Sequence, residues 1–397
     1  MLLCALRSKL VAGLSLGMTQ LEQILELWAR ARSAGEGAVL ATVVKTQGSS
    51  YRLPGARLLI TASGQRAGSI SGGCLEDDLV KKAWWLTENG PMLRRYDTTP
   101  DGEIGPSFGL GCNGIIHVLL QRLDPGADSV LALLREVRER RRSAAVAHII
   151  QPQELVGEKL VVDVNGGVAS QVSRAGLDVW LEQQARSSLS ENRSRIAVHE
   201  GRLEAFCEVL TPPIQLLVFG AGDDAVPVVE LAKYFGWRVL VLDGRAHYAR
   251  RERFPSADEV LVRPAGHSGV QVDIDPWTAA VLMTHSYSQD LEIVRELSAM
   301  PLAYLGILGP RKRTTQLLAE AGISPDCIGA ALHGPMGLDI GADGPEQVAL
   351  AIVAEIQATF NGRQGGFLRE RAGSIHSEEE LPDETAARWM PSIACVT

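Results

Sequence analysis

From Ile214 onward the sequence alternates between short apolar runs and amphipathic ones, and that alternation restricts the fold more than any other feature. Strands fit 214–219, 237–242, 258–262, 278–283, 302–307 and 327–331, and helices fit 224–235, 288–299, 311–321 and 345–359. Short strands joined through helices predict a parallel, doubly wound sheet. The first run leads into Gly220-Ala221-Gly222-Asp223-Asp224-Ala225, so a G-x-G-x-x-A turn lies between strand and helix. Asp243 closes the next strand, 21 residues after Gly222, where a carboxylate can hold a ribose hydroxyl. A nucleotide or phosphate ligand is therefore expected. The plainer reading is that the glycines only let the helix pack closely on the strand. Asp223 and Asp224 place negative charge where a phosphate is otherwise welcome, and Arg245 leaves NAD and NADP undistinguished.

Three further turns of this half sit at strand ends, where ligands of open parallel sheets bind. Thr284-His285 follows one strand, and His285 is a candidate base or donor, or a histidine bonded to its own loop. Gly309-Pro310-Arg311-Lys312-Arg313 opens a helix and is a candidate phosphate site, or a set of solvated cations. The glycine-rich run from His333 to Gly341 is a candidate ligand wall.

Thr211-Pro212-Pro213 marks a domain boundary, and upstream of it the pattern is mixed α+β. Thr19-Gln20-Leu21-Glu22 is a capping box, with Leu21, Ile24, Leu25 and Trp28 following at helical spacing. A self-contained helix opens after Met18, which reads as the expected start. Ala38 to Lys45 reads as a buried strand, and Arg57–Thr61 with Gln65–Ile70 as a hairpin around Ser63-Gly64. A helix follows Cys74, a strand surrounds Tyr96, and Gly114 to Leu120 is strand-like. Beyond lie a helix over Val130–Arg142, strands near 144–150 and 158–164, a helix near 175–187 and a polar, loop-like 187–195. No internal repeat is evident. From Asn361 the chain turns polar, and 361–397 is expected to be a disordered tail.

The net charge of −8 argues against a nucleic-acid partner, and no apolar run approaches the roughly 18 residues that span a bilayer. The six cysteines are thinly spread and form no C-x-x-C, so neither a disulfide scaffold nor a structural zinc site is expected. A reducing, cytoplasmic setting follows. For Cys4, Cys207, Cys327 and Cys395 the plain reading is a small buried hydrophobe. Cys74 and Cys112 fit it poorly, because they end Ser71-Gly72-Gly73-Cys74 and Gly109-Leu110-Gly111-Cys112, two glycine-framed turns 38 residues apart. Glycine lets a ligand approach the backbone, and a thiol at a helix start can hold a soft atom. Glu76, Asp77 and Asp78 oppose a lowered pKa at Cys74. Sulfur or a soft metal is the chemistry these turns point to.

Taken together these segments resemble the XdhC/CoxI family of xanthine dehydrogenase accessory proteins. The resemblance is carried by Gly48-Ser49-Ser50-Tyr51-Arg52 through Arg57, Ser71 to Glu76, Gly109 to Cys112, Phe219 to Gly222, Asp243 with Arg245, Thr284-His285, Gly306 to Arg313 and Pro335 to Gly341. It covers roughly 19–125 and 214–360 in family order. It implies an α+β XdhC/CoxI domain over 19–210 followed by a Rossmann-like, doubly wound domain over 211–360. It also implies a molybdenum cofactor chaperone rather than an enzyme. Such a protein binds molybdopterin, protects it during sulfuration and delivers it to a molybdenum hydroxylase of the xanthine dehydrogenase type, with a cysteine desulfurase as sulfur source. A homodimer is expected.

On this reading Ser71, Gly72, Gly73, Cys74, Gly109, Gly111 and Cys112 contact the cofactor, with Cys74 and Cys112 toward its metal. Gly220, Gly222, Asp243, Thr284, His285, Gly309, Arg311 and Lys312 take its phosphate or a nucleotide. Two residues depart from the family pattern: Asp223 replaces a histidine and Asn113 a glycine. The rival readings are an NAD(P)-dependent oxidoreductase and a pure interaction adaptor.

Overall fold

The computed structural model describes residues 18–73, 75–98, 114–126, 130–263, 272–324 and 332–371. The chain forms two compact units, Met1–Pro212 and Pro213–Thr397.

The first unit opens with α1 (Gln20–Ser33), whose capping box is in place: Glu22 N–H donates to Thr19 Oγ1 at 3.3 Å and Thr19 N–H donates to Glu22 Oε2 at 2.8 Å. There follow β1 (Ala38–Gly48), β2 (Arg57–Thr61), β3 (Arg66–Gly68), α2 (Glu76–Leu86), β4 (Met92–Asp97) and β5 (Gly114–Leu123). Then come α3 (Val130–Arg140), β6 (Ala144–Gln151), β7 (Lys159–Asp163), β8 (Val168–Gln171), α4 (Leu177–Ser190), β9 (Arg195–His199) and β10 (Leu203–Leu210).

The strands make two antiparallel five-stranded sheets, ordered β3-β2-β1-β5-β4 and β8-β7-β6-β10-β9. These are one topology used twice, α-β-β-β-α-β-β, and the registers agree residue for residue. Ala38 pairs Thr61 and Leu123 as Ala144 pairs Asp163 and Leu210. Leu58 pairs Gly68 as Leu160 pairs Ser170. Both first strands carry a bulge at the same place, after Val43 and after Ile149. The unit is therefore an internal duplication, which the sequence did not reveal.

Strand pleating explains the layers. Odd-numbered Val39, Ala41 and Val43 face α2, whereas Leu40 and Val44 face inward, Leu40 with α1 and α3. The second sheet repeats this: Ala145, Ala147 and Ile149 face α4, and Val146 and Ile150 face inward. The halves meet reciprocally. A Cβ on Gly55 would stand 3.0 Å from Glu208, and one on the equivalent Gly157 would stand 3.7 Å from Gln121, the counterpart of Glu208. That is the signature of a two-fold contact, here within one chain. Three strands, β8, β9 and β10, lie where only loop or nothing was expected, and α4 runs on to Ser190.

The second unit alternates β11 (Gln215–Phe219), α5 (Ala225–Tyr234), β12 (Arg238–Asp243), β13 (Glu259–Val262), β14 (Thr278–Leu282), α6 (Tyr287–Leu297), β15 (Tyr304–Ile307), α7 (Arg311–Ala321), β16 (Leu332–His333) and α8 (Pro345–Phe360). All sheet pairings are parallel, in the order β13-β12-β11-β14-β15-β16. This is the Rossmann order, with the switch point between β11 and β14. β11 and β14 are buried along their whole length, as strands covered on both faces must be. The strand expected at 327–331 falls outside the described residues. Of the expected tail, 361–371 is described, and a Cβ on Gly365 would stand 2.7 Å from Leu338. No helix among the described residues is long and apolar enough to cross a membrane.

Candidate functional site

In the first unit three segments meet at one end of the first sheet, two of them, Gly48–Arg57 and Ser71–Glu76, singled out by the sequence. Gly48 closes β1 opposite Gly114, which opens β5. A Cβ on Gly114 would stand 2.2 Å from the Ser49 carbonyl oxygen, so only glycine fits there. Thr98 clamps the other strand to the same point, donating from its N–H and its hydroxyl to the Gly114 carbonyl at 2.9 and 2.7 Å. The β1–β2 loop then reaches the third segment, because the Tyr51 ring lies against Gly72.

The Ser69–Gly73 turn is organised by a residue that sequence reasoning treated as an acid acting on Cys74. Glu76 is 3% exposed. Its carboxylate accepts from Ser69 Oγ at 2.7 Å and from the N–H groups of Ile70, Ser71 and Gly73 at 2.9 Å each, and also from Ser71 Oγ. Burial alone would push its pKa up; the hydroxyls of Ser71 and Ser69 and the N–H groups of Ser71 and Ile70 outweigh that and hold it at about 2. The turn is thus an anion nest filled by the chain's own carboxylate. The N–H groups of Ser71 and Gly73 are spent on it, and that of Gly72 goes to Ser69 Oγ at 3.2 Å. What the turn offers a ligand is its surface, not its amides. An acid a few residues past a Gly-Gly turn was the available signal. Cys74, Gly109, Gly111 and Cys112 lie outside the described residues.

The second unit brings Gly220, Gly222, Asp243, Thr284 and His285 to the carboxyl ends of β11, β12 and β14. Gly220, at φ +115°, lets β11 run against β14, since a Cβ would stand 2.2 Å from the Met283 carbonyl oxygen. Asp243 is buried, and both its oxygens are engaged. They accept the Ala221 N–H at 2.7 Å, the Arg245 N–H at 2.8 Å and the Arg245 side chain at 2.8 and 3.0 Å. Burial opposes its charge, but Arg245 and the Ala221 N–H hold its pKa below the usual carboxylate range. Arg245 and Arg253 both lie over Tyr248, at 4.1 and 4.8 Å, and Arg253 pairs with Asp223 and donates to the Ala221 carbonyl at 2.7 Å.

A dinucleotide does not fit this turn. The carboxylate that would hold its ribose is consumed, and two acids stand at the helix start. Asp224 instead meets His285 Nε2 at 2.9 Å, and His285 sits in the left-handed region at φ +57°. Thr284 Oγ1 donates to Asp290 at 2.5 Å, and Asp290 accepts from Arg313 at 2.6 Å. The Gly309–Arg313 turn is thereby tied to the same strand ends, with Arg311 and Lys312 left exposed. A small pocket beside Asp243 is lined by Phe219, Leu242, Arg263 and Thr284 among others.

The model of the XdhC and CoxI family matches residues 31–97, and that of the XdhC Rossmann domain matches 216–356. A probable xanthine dehydrogenase subunit of Bacillus subtilis (strain 168) is 33% identical over 325 residues, which is 82% of this chain and 93% of that protein. The chain belongs to the XdhC and CoxI family. The molybdenum cofactor insertion chaperone PaoD of Escherichia coli (strain K12) is 25% identical over 339 residues, 84% of this chain and 86% of that protein. The crystal structure of a xanthine dehydrogenase from Bacillus halodurans shares the fold with a TM-score of 0.70 at 30% identity, over 87% of this chain and 97% of that one. The segment matched by the XdhC and CoxI model takes in the Tyr51 loop and the Glu76 nest.

Proposed function

We propose that this chain is a carrier of the molybdenum cofactor and inserts it into a molybdenum hydroxylase of the xanthine dehydrogenase type. The observation that carries the reading is the near full-length match to a protein named as a molybdenum cofactor insertion chaperone, within a family to which this chain belongs. The geometry supports it. The first sheet ends in three convergent glycine-bearing segments, one of them preorganised by Glu76, and a preorganised end of this kind suits holding a ligand. Among the described residues the second unit offers no usual dinucleotide site, which weighs against hydride chemistry.

The finer reading is as follows. Cys74 and Cys112 contact the cofactor, because thiolates suit a soft metal centre. The exposed Arg311 and Lys312 suit its phosphate. The carrier shelters the cofactor while a terminal oxo ligand is exchanged for sulfur from a cysteine desulfurase. It acts in the cytoplasm as a homodimer.

The test is co-elution of the purified chain with free molybdopterin cofactor on size exclusion. Wild type is expected to retain it, and failure to do so overturns the reading. Equal retention by the Cys74→Ala/Cys112→Ala double variant overturns the cysteine assignment alone.

A further inference from the structure

The duplication in the first unit supplies an internal control. The two halves share helices, strands, register and bulge, so what differs between them is not needed to build the fold. Between its fourth and fifth strands the second half needs only residues 200–202, whereas the first half spends 98–113. Between its first and second strands the second half makes a short helical turn over Gln153–Leu155 and carries no aromatic ring. At that place the first half carries Tyr51, 62% exposed.

The ring is held, not dangling. A Cβ on Gly72 would stand 3.0 Å from its Cε1, so glycine lets the ring rest on the backbone. Among the described residues no atom lies within 4 Å of where a Cβ on Gly73, at φ +121°, would be, so none of them crowds that side of the ring. Both supports are fixed, the glycine turn by Glu76 and the loop by its own bonds: Ser50 Oγ donates to the Arg52 carbonyl at 3.1 Å and Arg52 donates to Gln20 at 2.8 Å. A rigid aromatic face open to water beside a glycine floor is a surface for a planar fused heterocycle, as in single-stranded nucleic-acid sites where bases stack on aromatic rings.

From this we infer that Tyr51 is the stacking platform for the flat pterin portion of the cargo. The choice of heterocycle rests on the carrier reading above. The second half, lacking the ring, takes no cargo.

The experiment compares wild type, Tyr51→Phe and Tyr51→Ala, titrated with free molybdopterin cofactor and, separately, with a simple pterin bearing neither metal nor phosphate. Bound pterin is read by fluorescence. Tyr51→Phe is expected to bind as wild type does, and Tyr51→Ala about tenfold more weakly to both probes. The unfolding midpoint should not move, since the side chain is exposed. Equal binding by Tyr51→Ala and wild type overturns the platform and leaves the carrier reading standing. Wild type binding the simple pterin but not the cofactor keeps the platform and sinks the carrier reading. Wild type binding neither removes both. If Tyr51→Ala keeps its cofactor but loses capture by the molybdoenzyme, the ring is a protein contact and the inference is wrong.

Discussion

Asp243 accepts the backbone N–H of Ala221 at 2.7 Å. The second strand of the Rossmann sheet thereby holds the glycine turn of the first, in the place where a bound nucleotide would otherwise connect the two.

Titration with NADH is accordingly expected to give no saturable fluorescence change through the micromolar range. Tight, saturable binding would show that Asp243 lets go of the turn. Asp243→Ala should destabilise the protein by about 2 kcal/mol, because it strands the Ala221 N–H in the interior. Urea denaturation measures this.

Glu76 gives the nest a pH dependence whose sign is fixed. Its folded pKa is about 2, below the ordinary 4.5, so its contribution is fully present above about pH 4.5 and is lost as pH falls toward 2. The shift corresponds to about 3 kcal/mol. Glu76→Gln turns an amide donor toward five donors, so it should be clearly less stable than wild type at pH 6. The gap between the two urea midpoints should narrow steadily as pH falls from 4.5 toward 2. A gap that does not change with pH would mean that the carboxylate charge is not what organises the turn.

Arg57 and Glu208 join the two halves of the first unit through an ion pair of 2.5 Å, and both side chains are buried. Arg57→Met leaves Glu208 charged in the interior and should cost about 3–5 kcal/mol. Adding Glu208→Leu should recover most of that loss, since an apolar pair of similar volume can replace a buried ion pair. If the double variant is no better than the single one, the pair's hydrogen bonds matter more than its charge.

His148 lies inward from the second sheet, 2% exposed, and its Nδ1 has no hydrogen-bond partner among the described residues. Burial, and then the nearby charges of Arg57 and Lys159, push its pKa down to about 3. The unfolded chain takes up a proton that the folded one refuses, so stability should fall as pH drops below 6.5, by about 1.4 kcal/mol per unit until about pH 3. His148→Leu should flatten that slope in urea melts at pH 7, 6 and 5. An unchanged slope would assign the acid sensitivity elsewhere.

The legible parts of this chain were those whose cause is local or continuous. The Thr19–Glu22 box reads from four residues, and β11 and β14 read from unbroken buried runs. β8 was not legible, because all four of its residues are exposed and show no alternation. β9 buries only Ala197. The duplication escaped because it is written in pairing register, and register is not a property of any single segment. At the sites, strand-end positions such as Gly220 and Thr284 could be found from spacing alone. What Asp243 and Glu76 hold could not, since a carboxylate's partner is chosen by the tertiary structure. Asp243 had been given a role toward a ligand and Glu76 one toward the Cys74 thiol, and both bind the chain itself.

Fusing two like halves also changes what mutation can do. In a symmetric dimer every substitution lands twice, so an interface residue and the surface opposite it cannot drift apart. In this chain each change lands once. Arg57 has become Lys159 at the matching position and Glu208 is matched by Gln121, so a charged pair on one side of the axis faces an uncharged glutamine on the other. One half has been free to acquire more residues between its last two strands and an exposed ring while its twin stayed plain and held it in shape.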